Sequence, residues 1–208
     1  MGKNPDIDEA YAMTSPDEVK ALYRTWSHSY DVGFGEGQGY QLPREVATAF
    51  IGAGGQGPVL DVGAGTGLVG TFLHRMKATP IDGIDLSEEM LELARLKGDY
   101  RGLSACDVTQ PLTGLDGPYQ GVVSAGTFTL GHVGPDALGH LLKVAATGAL
   151  FVISVNAAHY ASAGFEAAFA ELGDRITDRC TRDVRIYDDR ADDAHSDDMA
   201  RLVIFRKA

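Results

Sequence analysis

The chain has 208 residues, 44% of them hydrophobic and 23% charged, a balance that excludes wholesale disorder and fibrous repeats. Eighteen Lys and Arg stand against 29 Asp and Glu, a formal net charge of −11. With no cationic surplus to release counterions from a phosphate backbone, no nucleic-acid partner is expected. Cys106 and Cys180 are the two cysteines, too few for a disulfide framework. The longest apolar run, 149–155, is too short to cross a bilayer, and the first residues lack the apolar stretch of a signal peptide. These features point to a soluble, cytoplasmic protein with no membrane partner.

In chain order, residues 1–14 show no periodic pattern. Ser15-Pro16-Asp17-Glu18 then reads as a helix start, with a capping serine, proline in the first turn and an acid that completes a capping box. Val19, Leu22, Tyr23, Trp26 and Tyr30 follow at helical spacing. Gly33, Gly35, Gly37 and Gly39 end that helix in a hinge. A second helix is expected over Pro43 to Ile51, closed by the glycines at 52–57. These two helices form an N-terminal tail and helical lid over residues 1–56, ahead of a core spanning 57–208.

From Pro58 onward strand and helix alternate. Strands are expected at 59–62, 80–85, 100–106, 120–124 and 149–155, with helices at 68–76, after Ser87, from Pro135 to Ala145, and near 162–172. This order predicts a doubly wound, mostly parallel α/β sheet with right-handed crossovers. The chain ends differently, because 180–187 and 199–205 read as strands joined only by a loop. They predict a C-terminal antiparallel hairpin on a seven-stranded sheet. The hairpin loop, 188–198, holds six aspartates but neither the glycine nor the ligand spacing of a metal loop, so it reads as a solvated turn and no metal site is expected.

The chemistry concentrates where the first strand ends. Asp61-Val62-Gly63-Ala64-Gly65-Thr66-Gly67 joins that strand to a helix, at the rim where open α/β sheets bind ligands. Glycines there let a ligand approach the backbone, and the helix start offers free N–H groups. The second strand ends in Asp85, a carboxylate suited to ribose hydroxyls. These features fit any adenosine-containing ligand, and two details divide the candidates. The sixth position of a G-x-G-x-x-G nicotinamide fingerprint is Leu68, which weakens the case for a pyrophosphate. Asp61 places an acid beside the ligand, which favours a cationic one.

In this order the segments resemble the class I S-adenosylmethionine-dependent methyltransferases. Val59 to Gly67 looks like their first motif, Ile84-Asp85-Leu86-Ser87-Glu88-Glu89-Met90-Leu91 like their second, Cys106-Asp107-Val108 like the segment after strand three, and Tyr119 to Gly126 like the fourth-strand motif. Tyr23 to Asp31 resembles the tyrosine-and-aspartate helix of small-molecule members. The usual Lys-Pro-Gly-Gly turn is replaced by Ala145-Ala146-Thr147-Gly148, and no Asn/Asp-Pro-Pro-Tyr follows strand four, which disfavours methylation of an amide or nucleobase nitrogen by that arrangement.

The resemblance implies methyl transfer from S-adenosyl-L-methionine, with S-adenosyl-L-homocysteine as product, to a small-molecule acceptor by a monomer or homodimer. It implies that Gly63, Ala64, Gly65 and Thr66 hold the methionine portion, with Asp61 orienting its ammonium. Asp85 would take the ribose hydroxyls, Leu86 and Met90 flank adenine, Asp107 accept from the adenine amino group, and Val108 supply a backbone donor. Ser124 at the fourth strand, and Trp26 and Tyr30 on the N-terminal helix, complete the implied cofactor contacts. His132, after strand four, and His28 are the candidate general bases, since imidazole titrates near neutral pH. Two other readings stay open: a nicotinamide-dependent oxidoreductase, and a protein that binds S-adenosylmethionine without catalysis.

Overall fold

A computed structural model describes residues 39–129, 132–189 and 197–208. The helix expected from Ser15, with His28, Trp26 and Tyr30, lies outside the described residues, as does most of the aspartate-rich loop. The described elements run α1 (Leu42–Gly52), β1 (Val59–Val62), α2 (Leu68–Arg75), β2 (Ile81–Asp85), α3 (Glu88–Lys97), β3 (Gly102–Ala105), β4 (Tyr119–Phe128), α4 (Ala137–Val144), β5 (Ala145–Asn156), α5 (Ala157–Ser162), α6 (Phe165–Leu172), β6 (Ile176–Arg185) and β7 (Met199–Lys207).

The seven strands form one sheet in the order β3-β2-β1-β4-β5-β7-β6. The first five strands are parallel, and β7 pairs antiparallel with both β5 and β6. The order of winding reverses between β1 and β4, and a crevice opens at such a switch point beyond the carboxyl ends of the strands.

Alternation of side chains across the pleat builds two cores. Leu60, Val62, Val122, Phe151 and Phe205 face one layer, which α4 and α6 cover through Leu138, Leu141, Phe165 and Phe169. Val59, Val123, Leu150 and Val152 face the other, covered by α1 and α2 through Val46, Phe50, Val69 and Leu73. Phe50 is fully buried. It occupies space that Gly121 leaves open: a Cβ on Gly121 would lie 2.3 Å from its ring.

Helix starts follow local chemistry. Ser87 caps α3, its Oγ accepting the Met90 N–H at 3.3 Å, with Glu88 and Glu89 in the first turn where acids complement the helix dipole. Asn156 caps α5, its Oδ1 accepting from the amides of Ala158 and His159. An ion pair between buried Asp82 and exposed Arg101 closes the amino-terminal edge of the sheet. Asp82, 7% exposed, accepts from Arg101 Nε at 2.9 Å and from Tyr119 Oη at 2.8 Å. Burial works against the Asp82 carboxylate, but these two donors hold it below the usual carboxylate range.

Candidate functional site

A hollow opens beyond the carboxyl ends of β1, β2, β3 and β4, where the winding reverses. Its walls include Gly63 and Gly65 from the turn after β1, Asp85, Leu86, Ser87 and Met90 from the tip of β2 and the start of α3, and Cys106, Asp107, Val108 and Thr109 after β3. Ala125, Gly126, Thr127, His132 and Val133 enter from β4 and its loop, and Tyr40 from the segment before α1. The hollow is open to solvent at its mouth.

Asp85 is the anchored acid of this hollow. Its Oδ2 accepts the Gly65 N–H at 2.8 Å and its Oδ1 the Ser87 N–H at 2.9 Å. Each carboxylate oxygen has a second lone pair available to a ligand, so the two amides orient the group without exhausting it. Burial pushes the Asp85 carboxyl up, while the amides of Ser87, Gly65 and Leu86 pull the other way. Asp107 stands on the facing wall and is fixed by its own turn, its Oδ1 accepting from Thr109 N at 2.9 Å and Thr109 Oγ1 at 2.7 Å.

The glycine turn is tied to both neighbouring strands. The Gly63 and Ala64 amides donate to the Ile84 carbonyl at 2.8 and 2.9 Å. Gly63 has φ +70°, and a Cβ there would fall 1.9 Å from Thr127 Oγ1, so both conformation and space require glycine. Thr127 and Ser124 both donate to the Val62 carbonyl, at 3.0 and 2.8 Å. They lock β4 against the end of β1.

Asp61, Ala64, Thr66 and Ser124, expected at the ligand, are buried and are not among the residues that line the hollow. The pleat explains Asp61: it shares a face with Val59 and points beneath the first turns of α2. It is fully buried, and its Oδ2 accepts from Tyr100 Oη at 2.6 Å while Oδ1 has no hydrogen-bond partner among the described residues. Burial first, and the Asp85 charge as well, push its carboxyl up to about 7 despite the Tyr100 hydroxyl. Ser124 is fully buried, its hydroxyl committed to the Val62 carbonyl. Ala64 and Thr66 are almost completely covered; the Ala64 methyl is directed at Gly83.

Tyr40 had no sequence signal, because it lies in a glycine-rich run that reads as a hinge. It pairs with Tyr187 in an antiparallel bridge with ring centroids 5.9 Å apart, and its hydroxyl abuts Gly126, where a Cβ would lie 2.3 Å away. His159 is a second such residue. Its Nε2 is 3.0 Å from the Val133 carbonyl, which steadies the loop that carries His132. Among the described residues, no cluster of His, Cys, Asp and Glu could hold a metal ion, and no helix is long and apolar enough to cross a membrane.

Residues 59–148 match the methyltransferase domain family. A phosphatidylethanolamine N-methyltransferase of Cereibacter sphaeroides is 42% identical over 88 residues, which make up 42% of this chain and 40% of that protein. The human methyltransferase-like protein 27 is 32% identical over 133 residues, covering 61% of this chain and 54% of that one. The chain thus spans about half the length of these relatives, or less. In fold it is similar to the magnesium protoporphyrin IX methyltransferase of Synechocystis PCC 6803 solved with bound S-adenosylmethionine, with a TM-score of 0.58 and 21% identity over 86% of this chain and 82% of that one.

Proposed function

We propose that this chain, which carries a methyltransferase domain of the class I S-adenosylmethionine-dependent family, transfers a methyl group from S-adenosylmethionine to a small-molecule acceptor. One observation supports this above all. The hollow is lined by two carboxylates, Asp85 and Asp107, with a third, Asp61, directly behind, and among its described lining residues there is neither Lys nor Arg. A dinucleotide would bring two negative phosphates to that wall, and like charges in a poorly solvated site repel. A ligand with a sulfonium and an ammonium is attracted there. The free lone pairs of Asp85 fit such a group.

The bound cofactor supplies an electrophilic methyl on a positively charged sulfur. The chain's own residues do the rest. Asp85, held by Gly65 and Ser87, accepts the ribose hydroxyls, and Leu86, Met90 and Val108 offer apolar surface to adenine. Asp107 accepts from the adenine amino group. Gly63 and Gly65 let the methionine portion lie against the backbone. Tyr40, Ala125, Gly126, Thr127 and His132 stand on the acceptor side of the hollow. There they exclude water and hold the nucleophile in line with the methyl, which is where most of the rate gain of such a displacement arises. Where the acceptor carries a proton, His132 takes it.

Incubation with methyl-labelled cofactor and a metabolite extract tests this reading. Label should pass to low-molecular-weight products, with S-adenosylhomocysteine formed in equal amount. Binding of the cofactor with no turnover on any extract would favour a non-catalytic binding protein.

A further inference from the structure

Resting on the cofactor reading above, we propose that Tyr100 is a positioning residue for the cofactor: its ring fills a slot between three glycines, and its hydroxyl joins buried Asp61 to the first turn of α2, fixing the glycine turn from behind. A Cβ on Gly70 would lie 2.2 Å from the Tyr100 ring, one on Gly83 2.9 Å, and one on Gly67 3.0 Å. Gly67 and Gly70 at the start of α2 and Gly83 in β2 therefore make room for one side chain. They divide the glycine pattern in two: Gly63 and Gly65 face the hollow, while Gly67 and Gly70 face Tyr100.

The hydroxyl at the end of that ring makes two contacts. It donates to Asp61 Oδ2 at 2.6 Å and accepts the Gly70 N–H at 3.1 Å. Gly70 is a helix residue of α2 whose start follows directly on the turn, and Asp61 is two residues ahead of Gly63. The single oxygen thus fixes the distance between the two ends of the turn against which the ligand lies. Neutral or ionised, Asp61 needs this donor, because an unpaired polar group in a dry interior is costly.

The contact also sets a charge. Asp61 sits midway between ionised and neutral near pH 7, so a cationic ligand in front of it favours the ionised form and binds better as pH rises through that value. The ionisable groups that bear on Asp61 are Asp85 at the tip of β2 and Tyr100 itself, with Asp99 acting on Tyr100. Asp99 is engaged by Thr71 Oγ1 at 2.6 Å and lies 3.9 Å from His74 Nδ1.

Calorimetric titration of the full chain with S-adenosylmethionine across pH 5.5 to about 7.5 tests this, using Tyr100→Phe, Asp61→Asn and the double variant, with melting temperatures recorded alongside. The wild type should bind more tightly as pH rises. Tyr100→Phe keeps the ring in its slot and should bind about tenfold more weakly, with the pH dependence displaced upward. Asp61→Asn should reduce the pH dependence, and the double variant should bind no worse than Asp61→Asn alone, because coupled residues are not additive. A Tyr100→Phe protein with lowered melting temperature but unchanged affinity and pH profile would overturn the proposal, as would additive losses. If Tyr100→Phe does not fold, an Asp61→Asn protein with the affinity and pH profile of the wild type overturns it alone. If the wild type fails to bind S-adenosylmethionine at any pH, the cofactor reading falls, and this proposal with it.

Discussion

Asp85 has two duties within one carboxylate. Two of its lone pairs hold the amides of Gly65 and Ser87, and the other two are left for a ligand. Asp85→Ala should therefore weaken S-adenosylmethionine binding by about 1.5–3 kcal/mol, the range for hydrogen bonds to a charged group, and should lower the melting temperature because two amides lose their acceptor. Calorimetry and thermal unfolding read the two effects separately. Asp61 makes a different prediction. Its carboxyl is raised to about 7, so the folded state holds a proton that the unfolded chain has released, and stability falls as pH rises from about 4 to about 7. Asp61→Asn removes that ionisation, so unfolding in urea should show the variant losing less stability than the wild type between pH 5 and about 8. Both aspartates stood out in the sequence as strand-end acids. What the sequence left open was the side of the sheet on which Asp61 falls, since a short buried strand with apolar residues on both faces carries no alternation to read.

Elements with a strong local pattern are where expectation and structure agree closely. Helix α3 begins at Ser87 because cap and acidic first turn coincide, and β1 and β2 are short, largely buried strands bounded by turn residues. The differences arise where tertiary pairing overrides pattern. Strand β4 runs on through Ala125-Gly126-Thr127 to Phe128, because the Ser154 hydroxyl accepts the Gly126 N–H at 3.0 Å and Thr127 is tied to β1. Strand β6 covers 176–185 rather than 180–187 because it is an edge largely exposed on both faces, where polar residues fill most positions. The helix expected near 162–172 begins at Phe165, after Gly164 with φ +75°, and a separate short helix, α5, precedes it. Helix α1, read as part of a lid, has Val46, Ala47 and Phe50 buried against the sheet. Phe50→Ala should cost about 3–5 kcal/mol of folding stability, measured by urea unfolding, because its ring fills the space over Gly121.

At the scale of the whole molecule, the sheet puts an acid-lined hollow at the one place where its winding reverses, and the antiparallel β7 extends the sheet on the far side without entering that hollow. Tyr40, at one end of the described chain, reaches it only by pairing with Tyr187, a contact far apart in sequence that no local motif announces. His132 borders the same hollow. If it is the base, His132→Ala should lower kcat by about 10²–10⁴ for a protonated acceptor, with cofactor affinity nearly unchanged, as single-turnover and binding measurements would separate. Charge gives the central test. The account requires a hollow selective for a positively charged adenosine ligand over a doubly phosphorylated one. Side-by-side calorimetric titration of the full chain with S-adenosylmethionine and with NAD decides the matter: saturable binding of the first and none of the second is predicted, and binding of NAD as tightly as S-adenosylmethionine, or of neither, would contradict it.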